Sequence, residues 1–216
     1  MRWLLLCALT LCFCQKQKTE DPAVAKVAEH AAVLDVKGGP GEAKKAALGG
    51  ESLYQLQFAL TDQDGKTVTL DSLRGQLVIV SMFYAHCPNA CPMLFHKTKT
   101  LEQKLSDAER KQVRVFLVSL APDVDTDSVL KGLAKKLEVD ETRWRFARTD
   151  EKNVRELAAV LGINYRKLDD GNYNHSSVLT LLDRSGVAVA KMEGLAEPVE
   201  PLLERIRTEL ARPSQK

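Results

Sequence analysis

Two cysteines set between prolines carry the most reactive chemistry in this chain. In Phe83-Tyr84-Ala85-His86-Cys87-Pro88-Asn89-Ala90-Cys91-Pro92 the thiols stand four positions apart, between an apolar run and a segment patterned as a helix. A spacing of four predicts that one helical turn brings both sulfurs to the same face. A helix N-terminus beside them adds partial positive charge and favours the thiolate. Two close thiolates suit a soft metal such as Cu(I), or a reversible disulfide. A pair of inert core cysteines is the alternative, but prolines flanking both at a strand-to-helix junction argue for a site.

The other three cysteines, Cys7, Cys12 and Cys14, lie in the first fourteen residues, so the body of the chain holds one close pair and no disulfide framework. Arg2 followed by a short apolar stretch to Cys14, then Gln15-Lys16-Gln17-Lys18, has the layout of an export signal. The stretch is shorter than the ~20 residues that a membrane span takes. A buried N-terminal element is the alternative reading. Cys14, directly after the apolar run, is the best-placed residue for lipoprotein acylation, although Phe13 precedes it where such sites usually have a small residue. The expected location is the bacterial cell envelope, with any membrane contact made through this N-terminus.

With 216 residues, 44% hydrophobic and 28% charged, the chain fits one domain plus a leader and a tail. A net charge of +2, spread along the sequence, points to no nucleic-acid groove and no basic membrane patch. Residues 15–50 read as a tether: Asp21-Pro22 opens a short helix to about Leu34, and Gly38-Gly39-Pro40-Gly41 ends it.

The elements that must position the cysteines begin near Leu53, in a domain expected over 51–212. Alternation of Tyr54, Leu56, Phe58 and Leu60 predicts a strand, Asp62 to Gly65 a turn, and Val68 with Leu70 the return strand of a hairpin. The run Leu77 to Tyr84 reads as a strand buried on both faces, with a helix after it from about Ala90 to Leu105. Then come a strand over Val113–Leu120, a helix over Asp127–Leu137, a strand near Arg145–Arg148 and a helix over Glu151–Leu161. Strands over Val178–Asp183 and Val187–Lys191 and a helix from Pro198 to about Ala211 close the chain. Strands alternating with helices imply an α/β fold, a mixed central sheet flanked by helices.

Three blocks in this order resemble the Sco/SenC family of copper-binding, thioredoxin-like cytochrome oxidase assembly proteins. Cys87-Pro88-Asn89-Ala90-Cys91-Pro92 is similar to its Cys-Pro-x-x-Cys-Pro signature. Val118-Ser119-Leu120-Ala121-Pro122-Asp123-Val124-Asp125-Thr126 resembles its strand ending in Val-Ser-x-Asp-Pro-x-x-Asp-Thr. Asn174-His175-Ser176 is similar to its Asp-His-Ser/Thr block before a hairpin. The likeness covers about residues 53–210 and implies a thioredoxin-like fold with an N-terminal β-hairpin extension. It implies Cys87, Cys91 and His175 as ligands of one copper ion, Cu(I) or Cu(II). Taken alone, His175 reads as a polar loop residue.

The implied role is a metallochaperone, with a copper-accepting oxidase subunit or another envelope copper protein as partner. The alternative is a thiol–disulfide oxidoreductase, itself served by a thiol reductant; three residues between the cysteines, instead of the two of thioredoxins, weigh against it. Peroxidase chemistry lacks its Pro/Thr pattern before Cys87. Zinc with Cys₂His ligation lacks an evident fourth donor. His86 is expected to point away from Cys87, His96 to sit off the shared helix face, and His30 to lie in the tether. Asn89, Ala121 and Asn174 stand where the family often has Asp, so carboxylates that orient or charge-balance the metal are expected to be missing.

Overall fold

A computed structural model describes residues 51–213. The expected leader (1–14), Cys14, the tether (15–50) and His30 lie outside the described residues.

Seven strands form the main sheet: β1 (Leu60–Asp62), β2 (Thr67–Val68), β3 (Leu77–Phe83), β4 (Val113–Ser119), β5 (Trp144–Arg148), β8 (Val178–Leu182) and β9 (Ala188–Glu193), in the order β2-β1-β5-β4-β3-β8-β9. β3, β4 and β5 run parallel, and the outer pairings are antiparallel. The helices are α1 (Ala90–Gln103), α2 (Asp107–Arg110), α3 (Asp127–Lys136), α4 (Glu151–Leu161) and α5 (Glu200–Ala211). This is a mixed sheet between helices, the thioredoxin-like arrangement, with the β1–β2 hairpin added at one edge.

Every residue of β3 is buried, as a central strand covered on both faces requires. Its side chains alternate between two cores. Leu77, Ile79 and Phe83 pack with Leu94 and Phe95 of α1, Leu130 of α3 and Ile206 of α5. Val78, Val80 and Met82 pack with Val154, Leu157 and Leu161 of α4 and with Leu53 and Tyr54. Cys91 belongs to the first core, so the site stands on the α1 face of the sheet.

Three stretches differ from expectation, the first being the short helix α2, opened by a Ser106–Glu109 capping box where no element was expected. The strand expected over Tyr54–Leu60 begins only at Leu60; Leu53–Gln55 is a 3-10 turn held by Ser52, whose side chain accepts from the Tyr54 N–H. The alternation is nonetheless one of burial: Tyr54, Leu56, Phe58 and Leu60 turn toward the core on the α4 face while Gln55, Gln57 and Ala59 are exposed, and the Tyr54 hydroxyl donates to the Leu73 carbonyl at 3.2 Å. The return strand likewise stops at Val68, and Leu70–Leu73 forms a second 3-10 turn. Between α4 and β8, where no element was expected, β6 (Tyr165–Lys167) and β7 (Tyr173–His175) pair as a separate antiparallel hairpin.

Candidate metal centre

The cysteine loop, the loop after β4 and the β6–β7 hairpin meet around Cys87 and Cys91. Cys87 lies three residues before α1, not on it, so the two sulfurs do not share a helical face. They meet because the loop folds back: the Cys87 N–H donates to the Tyr84 carbonyl at 3.2 Å. Asn89, at the N-cap, makes no side-chain capping bond. The Cys87 sulfur takes that part instead, accepting the Cys91 N–H at 3.2 Å. Pro92, in the first turn, has no N–H to leave unpaired.

The two thiols have opposite acidities. Burial works against a Cys87 thiolate, but the Cys91 and Asn89 N–H groups, the Cys91 thiol and the nearby Tyr84 hydroxyl outweigh it and bring the thiol below its ordinary value. Cys91 is 1% exposed. Its burial first, and then the Cys87 sulfur and the Asp125 charge, push it well above the ordinary range.

His175 reaches this pair as the last residue of β7, which pairs with β6 in the register Tyr165 to His175. Its Nε2 lies 3.7 Å from the Cys91 sulfur. Its Nδ1 lies 3.1 Å from the Ser176 carbonyl. A carbonyl only accepts, so this bond places the proton on Nδ1 and leaves the Nε2 lone pair facing the sulfurs. Burial lowers the His175 pKa, with the Ser176 bond opposing it, so the ring stays neutral as a ligand must be. Tyr84 packs edge-on against His175 with centroids 6.0 Å apart, and at a tilt against Tyr173 at 5.3 Å. The ligand atoms of Cys87, Cys91 and His175 all lie within 4.8 Å of one another. One metal ion could touch all three.

Neither other histidine in the described chain joins them. His96 is exposed on α1, and the His86 side chain is 71% exposed. His86 is nonetheless not idle: its Nδ1 stands 3.8 Å from Oδ1 of Asp125.

Asp125, which the sequence offers only as part of the block after β4, is a further residue of the site. Its side chain is fully buried. Oδ2 accepts the Ala85 N–H at 3.0 Å and the Ser119 hydroxyl at 2.5 Å, tying the cysteine loop to the end of β4. The expectation of a site stripped of carboxylates therefore holds at positions 89, 121 and 174 but not for the site as a whole. The available signal was a short acidic stretch just after a buried strand, with Thr126 capping α3 behind it. Tyr84 was likewise read only as the end of a strand.

The fold and this cluster define a class: a thioredoxin-like domain whose two cysteines and one histidine can hold a soft metal ion or, without the histidine, close a disulfide. The SCO1/SenC family model matches residues 46–211, and the chain belongs to that family. A SCO1 protein homologue of Bacillus subtilis is 30% identical over 106 residues, covering 46% of this chain and 54% of that protein, so the match spans about half of the relative's length. The solved structure of a SCO1/SenC family lipoprotein from Bacillus anthracis aligns with a TM-score of 0.65 and 22% identity, over 71% of this chain and 92% of that one. Arabidopsis thaliana ScoI with copper bound aligns with a TM-score of 0.62 and 23% identity, over 76% and 98%. At such identities the structural likeness is one of fold.

Proposed function

We propose that the domain is a copper carrier, which takes one copper ion at Cys87, Cys91 and His175 and passes it to the dinuclear copper centre of a respiratory cytochrome oxidase. The observation that carries this reading is the convergence of two sulfurs and an imidazole nitrogen within 4.8 Å. Family membership supports the choice of copper and of an oxidase as partner. Copper is cargo here, not a resident cofactor. Two thiolates satisfy Cu(I), and the imidazole supplies the nitrogen that Cu(II) wants as well. Binding releases the thiol protons, and Cys87 gives up its own readily. Cys87 and His175 are the partly exposed members of the cluster and Cys91 the buried one, so an acceptor would approach on their side.

The leader at 1–14 places the domain outside the cytoplasm in this reading, with Cys14 as a lipid anchor to the envelope. Among the described residues no helix is long and apolar enough to cross a membrane.

The unequal thiols favour a second reading, a thiol–disulfide oxidoreductase. A Cys87 thiolate would attack a partner disulfide to form a mixed disulfide and expel one partner thiolate. Cys91 would then attack Cys87, releasing the second partner thiol and leaving Cys87–Cys91 oxidised until a thiol reductant resets it. That chemistry needs no imidazole ligand. His175→Ala therefore separates the two. With a dicopper acceptor domain whose cysteines are already reduced, the carrier reading expects the variant to transfer no copper while its disulfide still forms and is re-reduced near the normal rate. Wild-type protein that moves no copper, yet reduces an oxidised acceptor catalytically, would establish the reductase instead.

A further inference from the structure

We propose that His86 and Asp125 form a second, outer ligand pair that receives divalent copper beside the thiol cluster; this deepens the carrier reading and rests on copper being the cargo. Asp125 Oδ1 is buried and takes no hydrogen bond from any described residue, although Oδ2 of the same carboxylate takes two. A buried carboxylate oxygen is ordinarily paired, because desolvation leaves it costly otherwise. The group facing it is the His86 Nδ1, at 3.8 Å. That separation is too long for a hydrogen bond, yet it suits a cation held about 2 Å from each atom.

The donor types fit the same assignment. Imidazole nitrogen and carboxylate oxygen are the set for Cu(II), whereas thiolates select Cu(I). The exposed flank of His86 leaves room for water to complete the coordination. Position connects the pair to the inner site, since His86 is the residue before Cys87 and Asp125 holds the Ala85 N–H of the same loop. Movement of the ion from His86 to the inner ligands is ligand exchange, with no change of oxidation state.

Cu²⁺ alone is the probe, on the full chain carrying Cys87→Ser, Cys91→Ser and His175→Ala, which removes the inner ligands. This variant should still bind Cu²⁺ with an electron paramagnetic resonance spectrum of nitrogen and oxygen ligation. Adding His86→Ala, a surface change that leaves the fold intact by circular dichroism, should weaken that binding about tenfold or more and remove one imidazole coupling. Asp125→Asn should weaken it as well. In the otherwise wild-type chain His86→Ala should slow Cu²⁺ uptake. Identical binding with and without His86 would reduce the pair to an ordinary ion pair and overturn the proposal, leaving the inner site untouched. Conversely, inner ligands that take no copper, beside a triple variant that binds Cu²⁺ through His86, would sink the carrier reading and keep the outer pair.

Discussion

Cys87 and Cys91 are equivalent in sequence, each followed by proline, and the fold makes them different. Cys87 is partly exposed and accepts an N–H, while Cys91 is sealed in the core of the α1 face. With its pKa lowered from 9.0, Cys87 holds more thiolate at neutral pH than an ordinary thiol, and its reactivity should half-titrate below that value. Cys91 is shifted the opposite way, so it stays protonated across the same range. Alkylation of the reduced, metal-free protein with iodoacetamide at pH 7 should therefore label Cys87 and spare Cys91, as peptide mass spectrometry would read. Equal labelling would mean that the core around Cys91 opens, and the acidity difference with it. The ligand types themselves were legible, because sulfur spacing and a block around His175 are local patterns. Tyr84 was not, and Asp125 was legible only as one letter of the block after β4: what makes either part of the site is burial and a partner supplied from another loop.

The β6–β7 hairpin is the element that delivers His175, and it is held by few groups. Tyr173 stacks on Tyr84 at 5.3 Å and on Tyr165 at 6.3 Å, the Ser176 N–H donates to the Asn164 carbonyl at 2.9 Å, and the Ser176 hydroxyl accepts the Asn164 N–H at 3.0 Å. The strands are three residues each and none of those residues is fully buried, which is why periodicity gave no sign of them. By contrast β3, β4 and α4 were visible in the sequence, since each is a run or a helical stripe that the core alone dictates. Tyr173→Ala removes the stacking that fixes the hairpin to the cysteine loop, at a cost of about 1–3 kcal/mol in global stability. Its larger effect should fall on His175. Cu(II) affinity, which needs the imidazole, should drop well below that of wild type, while Cu(I), satisfied by the thiolates, should be held nearly as before. Titrations in both oxidation states, beside urea unfolding, would measure this. Parallel loss of both would show that the hairpin supports the sulfurs too.

For the whole molecule the question is where the folded domain starts, which the sequence placed near residue 51 from a Gly- and Pro-broken stretch before it. The contacts at that end give the boundary a physical meaning. The Leu53 N–H donates to the Gly186 carbonyl at 2.8 Å, Ser52 bridges to Val187, and the Ser52 hydroxyl donates to the Ser185 carbonyl at 2.5 Å. Leu53 and Tyr54 are each 3% exposed and belong to the core on the α4 face. Gly186 lets this happen: a Cβ there would come within 2.5 Å of the Tyr54 ring, and its φ of +84 suits glycine alone. The start of the domain is thus wedged against the β8–β9 turn of the main sheet, far in sequence from the metal ligands. A chain beginning at Gly50 keeps all of these contacts and should unfold cooperatively and bind one copper ion. One beginning at Gln57 loses two core side chains, each worth roughly 2–5 kcal/mol, from a domain whose total stability is on the order of 5–15 kcal/mol. It should therefore be partly or wholly unfolded at 25 °C and lose its copper with its fold. Calorimetry and copper content of the two truncations decide the matter. If the chain from Gln57 melts like the one from Gly50, the N-terminal wedge is not part of the cooperative unit. If the chain from Gly50 already fails, residues before it contribute to the fold, and the tether reading of 15–50 is wrong.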